Sequence, residues 1–321
     1  MSPVAAAVTA ADLGRLDALA AERGIALAAG APLAPLTTLR VGGAADRMLE
    51  AKTGKELLAG LRLACDAGVA CFVLGNGSDV VVADAGIRGL VIRNRARAVA
   101  IDGLRLRADA GTPLALLVRR SAAEGLAGLE FGTSIPGTLG GAVWANAGAH
   151  GAEIGELISA VEVWDPRGGS LGTLDAPSCA FGYRDSRFKQ SGEVILSAAL
   201  QLRRDDPAAI AARVAANQAQ RVATQPLADQ NAGSVFRNPP GDHAGRLVDT
   251  AGLKGLRVGS AAVSERHANF IVTDPGGRAA DVRALGERVR SEVRARFGVE
   301  LVYEIEFVGD WPPVDGPGGA A

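Results

Sequence analysis

Several features that mark other classes of protein are scarce in this sequence. Aromatic residues make up only 4% of it, there are three histidines, and the formal net charge is −1. A nearly neutral chain offers no electrostatic footprint for nucleic acid or for an anionic membrane surface. No His-Glu-x-x-His motif occurs, and with so few histidines we expect no metal site.

Nothing in the sequence indicates export or membrane insertion. Cys65, Cys71 and Cys179 cannot all pair and form no Cys-x-x-Cys motif, so we expect them to be reduced, as in a cytosolic protein. The segment from Met1 to Val8 lacks the basic start and leucine-rich core of a secretory signal. The uncharged stretch from Gly132 to Gly151 contains too many glycines and polar residues for a membrane helix. We therefore expect a cytoplasmic protein with no membrane or nucleic-acid partner.

Glycine, in contrast, is abundant. The 321 residues include 42 glycines, nearly twice the roughly 7% of an average protein. Because glycine weakens the interior of helices and strands, the excess is expected in turns and ligand-binding loops. Six of the twenty residues from Gly132 to Gly151 are glycine. Such a loop can lie against a phosphate or a planar ring, and the alternative is a turn region without a ligand.

A second glycine loop, Gly75-Asn-Gly-Ser-Asp79, directly follows the apolar run Cys71–Leu74. It resembles the start of the dinucleotide motif G-x-G-x-x-G, but Val80 occupies the third glycine position and strand-forming residues follow instead of a helix. These differences exclude a nicotinamide-binding Rossmann fold, and the chain contains no P-loop motif. A strand that ends in exposed N–H groups and hydroxyls can still bind a diphosphate, although an ordinary turn remains the alternative.

Helix and strand signals alternate without an internal repeat, which predicts an α+β protein, and the chain is long enough for two domains. Capping residues, early prolines and terminal glycines predict helices at residues 9–23, 53–68, 112–125, 205–221, 243–250 and 278–296. Short apolar or alternating runs predict strands at residues 48–51, 71–74, 80–82, 90–93, 104–108, 160–164, 194–202, around 235, 257–263, 269–273 and 300–308. A fresh α+β pattern after residue 204 indicates a domain boundary there.

Six motifs follow one another between about Thr37 and Gly309. They are Gly75-Asn-Gly-Ser-Asp-Val-Val-Val82; Ile135-Pro-Gly-Thr-Leu-Gly-Gly-Ala142 with Asn146-Ala-Gly-Ala149; Gly182-Tyr-Arg-Asp-Ser-Arg-Phe188; Ala232-Gly-Ser-Val-Phe-Arg-Asn-Pro239; Ala251-Gly-Leu-Lys-Gly255 with His267-Ala-Asn-Phe270; and Glu304-Ile-Glu-Phe-Val-Gly309. In this order they resemble the UDP-N-acetylenolpyruvoylglucosamine reductases (UDP-N-acetylmuramate dehydrogenases), the flavoenzymes of bacterial peptidoglycan synthesis. The short distance from Tyr183 to the predicted strand at Val194 is similar to the type II form.

The resemblance implies an FAD-binding domain of the vanillyl-alcohol oxidase and p-cresol methylhydroxylase type over residues 37–204, and a C-terminal α+β substrate-binding domain over 205–309. Residues 1–36 would be an N-terminal helical extension, and the composition of 310–321 predicts a disordered tail. The first glycine loop contains no histidine, so the FAD is expected to be non-covalent. The implied FAD-binding residues are Gly75, Asn76, Gly77, Ser78, Asp79, Ser134, Gly137, Thr138, Gly141, Asn146 and Gly148.

The implied reaction is the NADPH-dependent reduction of the enolpyruvyl group of UDP-N-acetylglucosamine enolpyruvate to UDP-N-acetylmuramate, by two hydride transfers through FAD. Arg184 matches the arginine that holds the substrate carboxylate, and a surface ion pair is its alternative role. Ser234 matches the serine that protonates C2, and a turn hydroxyl is the alternative. Glu304 lies in an apolar segment, where desolvation can raise its pKa and let it share a proton. The alternative for Glu304 is a solvent-facing carboxylate. We expect that role for Glu306.

Tyr183, Asn238, Arg221 and His267 are expected to contact the sugar nucleotide, Arg221 at the diphosphate, although His267 is equally suited to a structural role. The chain also departs from the family at Asp79 (usually Asn), Ser134 (usually Gly), His150 (usually Tyr) and Val302-Tyr303 (usually Glu-Pro). Two other functions remain open. A different FAD-dependent sugar or alcohol oxidoreductase would need neither the Ser234 nor the Glu304 motif, and a nucleotide-binding protein without catalysis would not be reduced by NADPH.

Overall fold

The computed structural model describes residues 8–312. The predicted disordered tail falls outside the described residues from position 313 onward. Trp311, which the sequence assigned to that tail, is anchored. Its indole Nε1 donates to the carbonyl of Val308 at 3.0 Å, and its ring meets that of Phe307 edge-on with centroids 5.3 Å apart.

Eight α-helices lie within residues 8–312: α1 Ala10–Glu22, α2 Gly54–Ala67, α3 Leu114–Ala123, α4 Leu139–Ala145, α5 Phe188–Ser191, α6 Pro207–Thr224, α7 Ala244–Thr250 and α8 Ala279–Phe297. The six predicted helices are confirmed, and the Thr9 and Asp12 side chains form the capping box of α1. Helix α3 starts later than predicted, because Pro113 and not Thr112 is its N-cap. Helix α4 was missed within the long glycine loop, where Thr138 caps a turn that buries Leu139, Ala142 and Val143.

The same part of the chain contains nineteen short strands: β1 Ala28–Pro32, β2 Ala44–Ala51, β3 Cys71–Leu74, β4 Val80–Val82, β5 Ile87–Asn94, β6 Val99–Asp102, β7 Arg105–Asp109, β8 Leu126–Ala127, β9 Gly148–Ala149, β10 Ala152–Glu153, β11 Ile158–Asp165, β12 Ser170–Leu174, β13 Val194–Gln201, β14 Arg203–Arg204, β15 Gln230–Asn231, β16 Arg257–Val258, β17 Ala261–Val263, β18 Ile271–Thr273 and β19 Glu306–Val308.

Two sheets form the larger, N-terminal part of the molecule. The first has the order β1-β2-β5-β3, in which β2, β5 and β3 are parallel and β1 is antiparallel to β2. Residues 28–32, which the sequence assigned to a helical extension, are therefore an edge strand of this sheet. Their small residues gave no apolar strand pattern, and pairing with β2 decides their structure. The second sheet is antiparallel, with the order β12-β11-β13-β7-β6.

The C-terminal part is built on the antiparallel sheet β15-β18-β17-β16, covered by α8. The predicted strand at 257–263 is two strands, since Gly259, at φ +52°, lies between them. The strand predicted around Val235 is an irregular segment with one isolated bridge, between Phe236 and Tyr303. The strand predicted at 300–308 is regular only at β19. Its alternating apolar residues do point inward, but the partner segment at 234–238 is too irregular to continue a ladder.

The two parts are joined by the end of the chain. Strand β19 returns to the N-terminal part and pairs in parallel with β4, with Glu306 opposite Val80 and Val308 opposite Val82. In the same region, the hydroxyl of Thr273 donates to the carbonyl of Leu39 at 2.7 Å. This pairing carries the segment before β19, which contains Glu304, to the first glycine loop.

Candidate active site

The two glycine loops lie against each other. A Cβ on Gly75 would be 2.6 Å from the Oγ1 of Thr138. The side-chain amide of Asn76 donates to the carbonyl of Pro136 at 2.7 Å. The hydroxyl of Ser78 would be 3.6 Å from a Cβ on Gly137. Segments about sixty residues apart in the chain therefore form one continuous surface.

Several glycines in these loops are required by packing within the protein. Gly77 has φ +62°, and a Cβ there would overlap the carbonyl oxygen of Leu36. A Cβ on Gly148 would be 2.5 Å from the carbonyl oxygen of Ala152, its neighbour in the β9–β10 hairpin. Both were predicted to be FAD-binding residues, and both are glycine for reasons internal to the fold. Direct contact with FAD is not needed to explain them.

Gly141 differs from these glycines. It is exposed at the start of α4, and a Cβ there would meet only the Oγ1 of Thr138, at 3.8 Å. The adjacent Gly140 is tightly packed, since its Cβ would be 2.8 Å from that of Ala110. The protein itself therefore does not need a glycine at position 141. An open position of this kind beside two glycine loops fits the close approach of a planar cofactor.

A cavity of about 460 Å³ opens beside the glycine loops, between the two parts of the molecule. The side-chain oxygen Oε1 of Gln230, in its wall, is buried without a hydrogen-bond partner among residues 8–312. Three arginines also contribute to the wall, and cations with backbone N–H groups suit a diphosphate. The lining consists of Pro35, Leu36, Thr37, Thr38, Arg40, Gly75, Asn76, Ser78, Arg93, Pro136, Arg221, Leu227, Ala228, Asp229, Gln230, Asn231 and Gly233.

Sequence reasoning missed much of this lining. The segment 35–40, Arg93 and the segment 227–231 carry no glycine pattern or other local motif. Arg40 adopts φ +57°, and its N–H donates to the Oγ1 of Thr37 at 3.1 Å. Such a turn by a non-glycine residue has no signal in the sequence, because the surrounding fold imposes it.

Asn146 has a structural task. It ends α4 at φ +44°, and both hydrogens of its amide group are used, by Glu153 Oε2 and by the carbonyl of Gly182, each at 2.8 Å. Its Oδ1 accepts from the N–H of Gly155 at 2.9 Å. A contact between Asn146 and FAD, as predicted, could use only the remaining hydrogen-bonding capacity of Oδ1. The observed bonds instead hold the loop that carries Tyr183 and Arg184 against the second glycine loop.

Two of the departures from the family pattern contact each other. The hydroxyl of Ser134 lies 3.3 Å from Nε2 of His150, and His150 adopts φ +55°. The carbonyl of Ser134 accepts from the guanidinium of Arg221. Arg221 therefore lies at the cavity beside the glycine loops, and its predicted contact with the substrate diphosphate stays a prediction.

Arg184 and Glu304, which are 120 residues apart, form an ion pair between the two parts of the molecule. The Nε of Arg184 donates to Glu304 Oε1 at 2.7 Å, and Nη2 donates to the carbonyl of Gly148 at 2.7 Å. The side chains are 19% and 20% exposed. Burial raises the pKa of the Glu304 carboxyl, although the charge of Arg184 acts in the opposite direction. The solvent-facing alternative for Glu304 is therefore wrong.

Ser234 lies on the segment that runs beside Glu304. The N–H of Glu304 donates to the carbonyl of Val235 at 2.9 Å, and the N–H of Arg237 donates to that of Val302, also at 2.9 Å. Ser234 is half-buried, and no residue between 8 and 312 supplies a hydrogen-bond partner for its hydroxyl. The three residues predicted to be catalytic thus come from separate segments and are brought to one region.

Asp79 belongs to the same region. Its carbonyl accepts from the N–H of Glu306 at 2.9 Å. Burial, with the nearby charges of Glu304 and Glu306, raises the pKa of the Asp79 carboxyl well above its ordinary value, against the effect of Lys189 and Arg184. Asp79 was predicted to contact FAD, and its surroundings place it beside the Arg184–Glu304 ion pair. Glu306 itself is partly exposed and pairs with Lys189 at 3.1 Å.

A second cavity, of about 510 Å³, lies next to this group. It is lined by Tyr183, Arg237, Asn238, Pro239, Pro240, Glu300 and Val302. The hydroxyl of Tyr183 accepts from the N–H of Asn238 at 3.4 Å, so two of the predicted substrate contacts are neighbours. His267 lines neither cavity. Its Nδ1 accepts from the N–H of Asn269 at 3.2 Å and burial lowers its pKa, which favours the structural role.

Residues 8–312 contain no group of three or more His, Cys, Asp or Glu residues placed to hold a metal ion. None of their helices combines the length and the apolar character that crossing a membrane requires.

Comparison with known proteins agrees with this geometry. Residues 45–173 match the family model of the FAD binding domain, and residues 225–308 match that of the UDP-N-acetylenolpyruvoylglucosamine reductase C-terminal domain. The fold and the site therefore define a flavoprotein oxidoreductase, and the predicted class is confirmed: an FAD-binding domain of the vanillyl-alcohol oxidase type followed by an α+β domain. Within this class, the chain belongs to the UDP-N-acetylenolpyruvoylglucosamine reductase family.

The similarity to individual members extends over most of the chain. It is 43% identical over 284 residues to UDP-N-acetylenolpyruvoylglucosamine reductase 2 of Symbiobacterium thermophilum, covering 88% of this chain and 92% of that protein. The corresponding reductase of Moorella thermoacetica is 44% identical over 280 residues, with 87% and 92% covered. The crystal structure of the reductase from Thermus caldophilus superposes with a TM-score of 0.76 at 36% identity, covering 90% of this chain and 99% of that one.

Proposed function

We propose that this protein reduces the enolpyruvyl group of UDP-N-acetylglucosamine enolpyruvate to UDP-N-acetylmuramate with NADPH, in the cytoplasmic synthesis of peptidoglycan precursors. The observation that carries the proposal is the half-buried Arg184–Glu304 pair, with Ser234 on the adjacent segment, where the two parts of the molecule meet. A different FAD-dependent oxidoreductase would have no need of this arrangement.

The residues present fit a bound FAD. The cavity beside the glycine loops offers backbone N–H groups, hydroxyls and arginine side chains for the diphosphate, and Gly141 leaves an open surface beside it. The segment Gly75–Asp79 contains neither histidine nor cysteine, so non-covalent binding is proposed. When bound, FAD supplies the hydride chemistry that no amino-acid side chain can provide.

Arg184 stabilises the negative charge that develops on the substrate carboxylate when hydride adds to C3 of the enolpyruvyl group. A guanidinium has five donors, so Arg184 can bind this carboxylate while Gly148 still orients one of its nitrogens. The substrate carboxylate competes with Glu304 for Arg184. Because burial already raises the pKa of Glu304, protonation of that carboxyl frees the guanidinium for the substrate.

Ser234 supplies the proton that C2 needs after hydride has added to C3. Its hydroxyl has no bond within residues 8–312 to break, and its half-buried site can hold this weak acid directly against the carbanion-like centre that it protonates. Glu304 shares its proton with this hydroxyl, so that the serine is restored. Tyr183 and Asn238 hold the nucleotide part of the substrate at the adjacent cavity.

The test is the reaction itself. Purified protein is expected to carry FAD, to bleach on anaerobic addition of NADPH, and to regain its absorbance when the enolpyruvyl nucleotide is added, with UDP-N-acetylmuramate identified by mass spectrometry. Bleaching without reoxidation by this substrate would favour another FAD-dependent oxidoreductase. A protein that binds nucleotide but is not reduced would refute the enzyme assignment.

A further inference from the structure

Arg237 is a half-buried arginine whose guanidinium has no hydrogen-bond or ion-pair partner in the part of the chain from residue 8 to residue 312. Its Nε is shut off from solvent and makes no hydrogen bond. Within residues 8–312, only its backbone N–H is bonded, to the carbonyl of Val302. Most other half-buried arginines of the chain are paired, as Arg184 is with Glu304. Leaving a cation unpaired and partly removed from water costs free energy. The guanidinium of Arg237 is therefore a candidate for binding a ligand.

The position of Arg237 indicates what it could bind. It lies in the wall of the second cavity, between Asn238 and the segment that contains Val302. Its charge lowers the pKa of Glu304, so the guanidinium is near the catalytic ion pair. The one acidic residue of the cavity wall, Glu300, is already paired with Arg290 at 2.6 Å. No carboxylate of the cavity wall is therefore left to pair with Arg237.

We propose that Arg237 binds a phosphate group of the nucleotide that enters this cavity, and so acts as a specificity-determining residue. The inference rests on the function proposed above. A guanidinium binds two phosphate oxygens at once through its planar fork. Tyr183 and Asn238, on the same wall, offer a hydroxyl and an amide for the remaining oxygens. The phosphate belongs either to the diphosphate of the sugar nucleotide or to the 2′-phosphate of NADPH.

The experiment compares two matched pairs of ligands on the FAD-loaded protein. Calorimetry would give the dissociation constants of UDP and uridine, which differ by the diphosphate, and of NADP⁺ and NAD⁺, which differ by the 2′-phosphate. In Arg237→Gln, the binding of UDP or of NADP⁺ is expected to weaken about 10- to 100-fold, as for the loss of a charge-assisted hydrogen bond. Binding of the matching ligand without the phosphate is expected to stay unchanged, and the affected pair identifies the source.

The control is Arg257→Gln, which removes the same charge from a surface ion pair with Asp274, and it is expected to bind all four ligands like the wild type. Arg237→Lys keeps the charge but loses the planar fork of the guanidinium. It is therefore expected to weaken binding of the affected ligand less than Arg237→Gln does. Because the guanidinium has no protein partner, Arg237→Gln should not lower the thermal midpoint. A lower midpoint, with uridine and NAD⁺ binding lost as well, would show a structural role and overturn the inference.

Two further results separate this inference from the proposed function. Wild-type protein that turns over the enolpyruvyl nucleotide, with Arg237→Gln binding UDP and NADP⁺ equally well, would refute the role of Arg237 alone. Wild-type protein that binds neither UDP nor NADP⁺ would refute both the inference and the function on which it rests.

Discussion

Ser234 is predicted to act in a single step of the reaction. In the proposed mechanism it acts only when C2 is protonated, so Ser234→Ala is expected to leave reduction by NADPH nearly intact. Reoxidation by the enolpyruvyl nucleotide is expected to slow about 10²- to 10⁴-fold, as for loss of a well-placed acid. Anaerobic stopped-flow absorbance measures the two half-reactions separately.

The matched control is Ser159→Ala, whose hydroxyl donates to the carbonyl of Ala199, far along the second sheet. It is expected to change neither half-reaction. If Ser234→Ala slowed both half-reactions equally, the serine would shape the cofactor site and would not be the acid. An unaffected second half-reaction would remove it from the mechanism.

Asp79 gives a second prediction at the scale of one residue. The pKa of its carboxyl is raised in the folded state by burial and by the charges of Glu304 and Glu306, so between its ordinary and its folded-state pKa the folded protein holds a proton that the unfolded chain has released. Stability from this group is therefore present below its ordinary pKa and is lost as the pH rises through the folded-state value. Asp79→Asn resembles the protonated form at every pH, and asparagine is the residue usual in the family.

The expected result is a gain in thermal midpoint for Asp79→Asn that is larger at pH 8 than at pH 5, measured by circular dichroism on the apoprotein. Asp102→Asn, in the edge strand β6 of the second sheet, serves as the comparison and is expected to show no such trend. Parallel midpoint curves for Asp79→Asn and the wild type would mean that Asp79 is ionised in the folded protein.

At the scale of one element, α4 contains two adjacent glycines with different tasks. A side chain at Gly141 meets almost nothing in the protein, whereas one at Gly140 meets Ala110. Gly141→Val is therefore expected to leave the thermal midpoint of the apoprotein unchanged or slightly higher, because valine has the better helix propensity. The same variant is expected to lose bound flavin, since its branched side chain fills the surface that the cofactor approaches.

Gly140→Val is the matched variant, and it is expected to lower the midpoint of the apoprotein because no space exists for its side chain. The flavin content per protein and the apoprotein midpoint are the two measurements. Gly141→Val protein that retained its flavin would show that the cofactor does not approach α4 at this position.

At the scale of the whole molecule, the cavity between the two parts predicts coupling between cofactor binding and stability. FAD should be released into the supernatant by acid precipitation, because the proposed site holds no covalent link. Added to the apoprotein at about 100 times its dissociation constant, FAD is expected to stabilise the fold by about 2.7 kcal/mol. Scanning calorimetry measures this gain. Flavin that remained with the denatured chain would contradict the non-covalent assignment.

The sequence by itself determined many of the local elements and the candidates for catalysis. The capping box at Thr9 and the terminal Gly68 delimit α1 and α2 through interactions within a few residues, and such signals are read without knowledge of the fold. The ordered motifs indicated the class of protein and the residues Arg184, Ser234 and Glu304.

Only the tertiary structure decided how distant segments meet. Residues 28–32 form a strand because they pair with the edge of β2. Glu304 lies beside Arg184 because β19 pairs with β4. The isolation of Arg237 and the raised pKa of Asp79 depend on which charges lie nearby and on how far water is excluded. Burial and through-space electrostatics are properties of the packed molecule, so no local pattern in the chain can contain them.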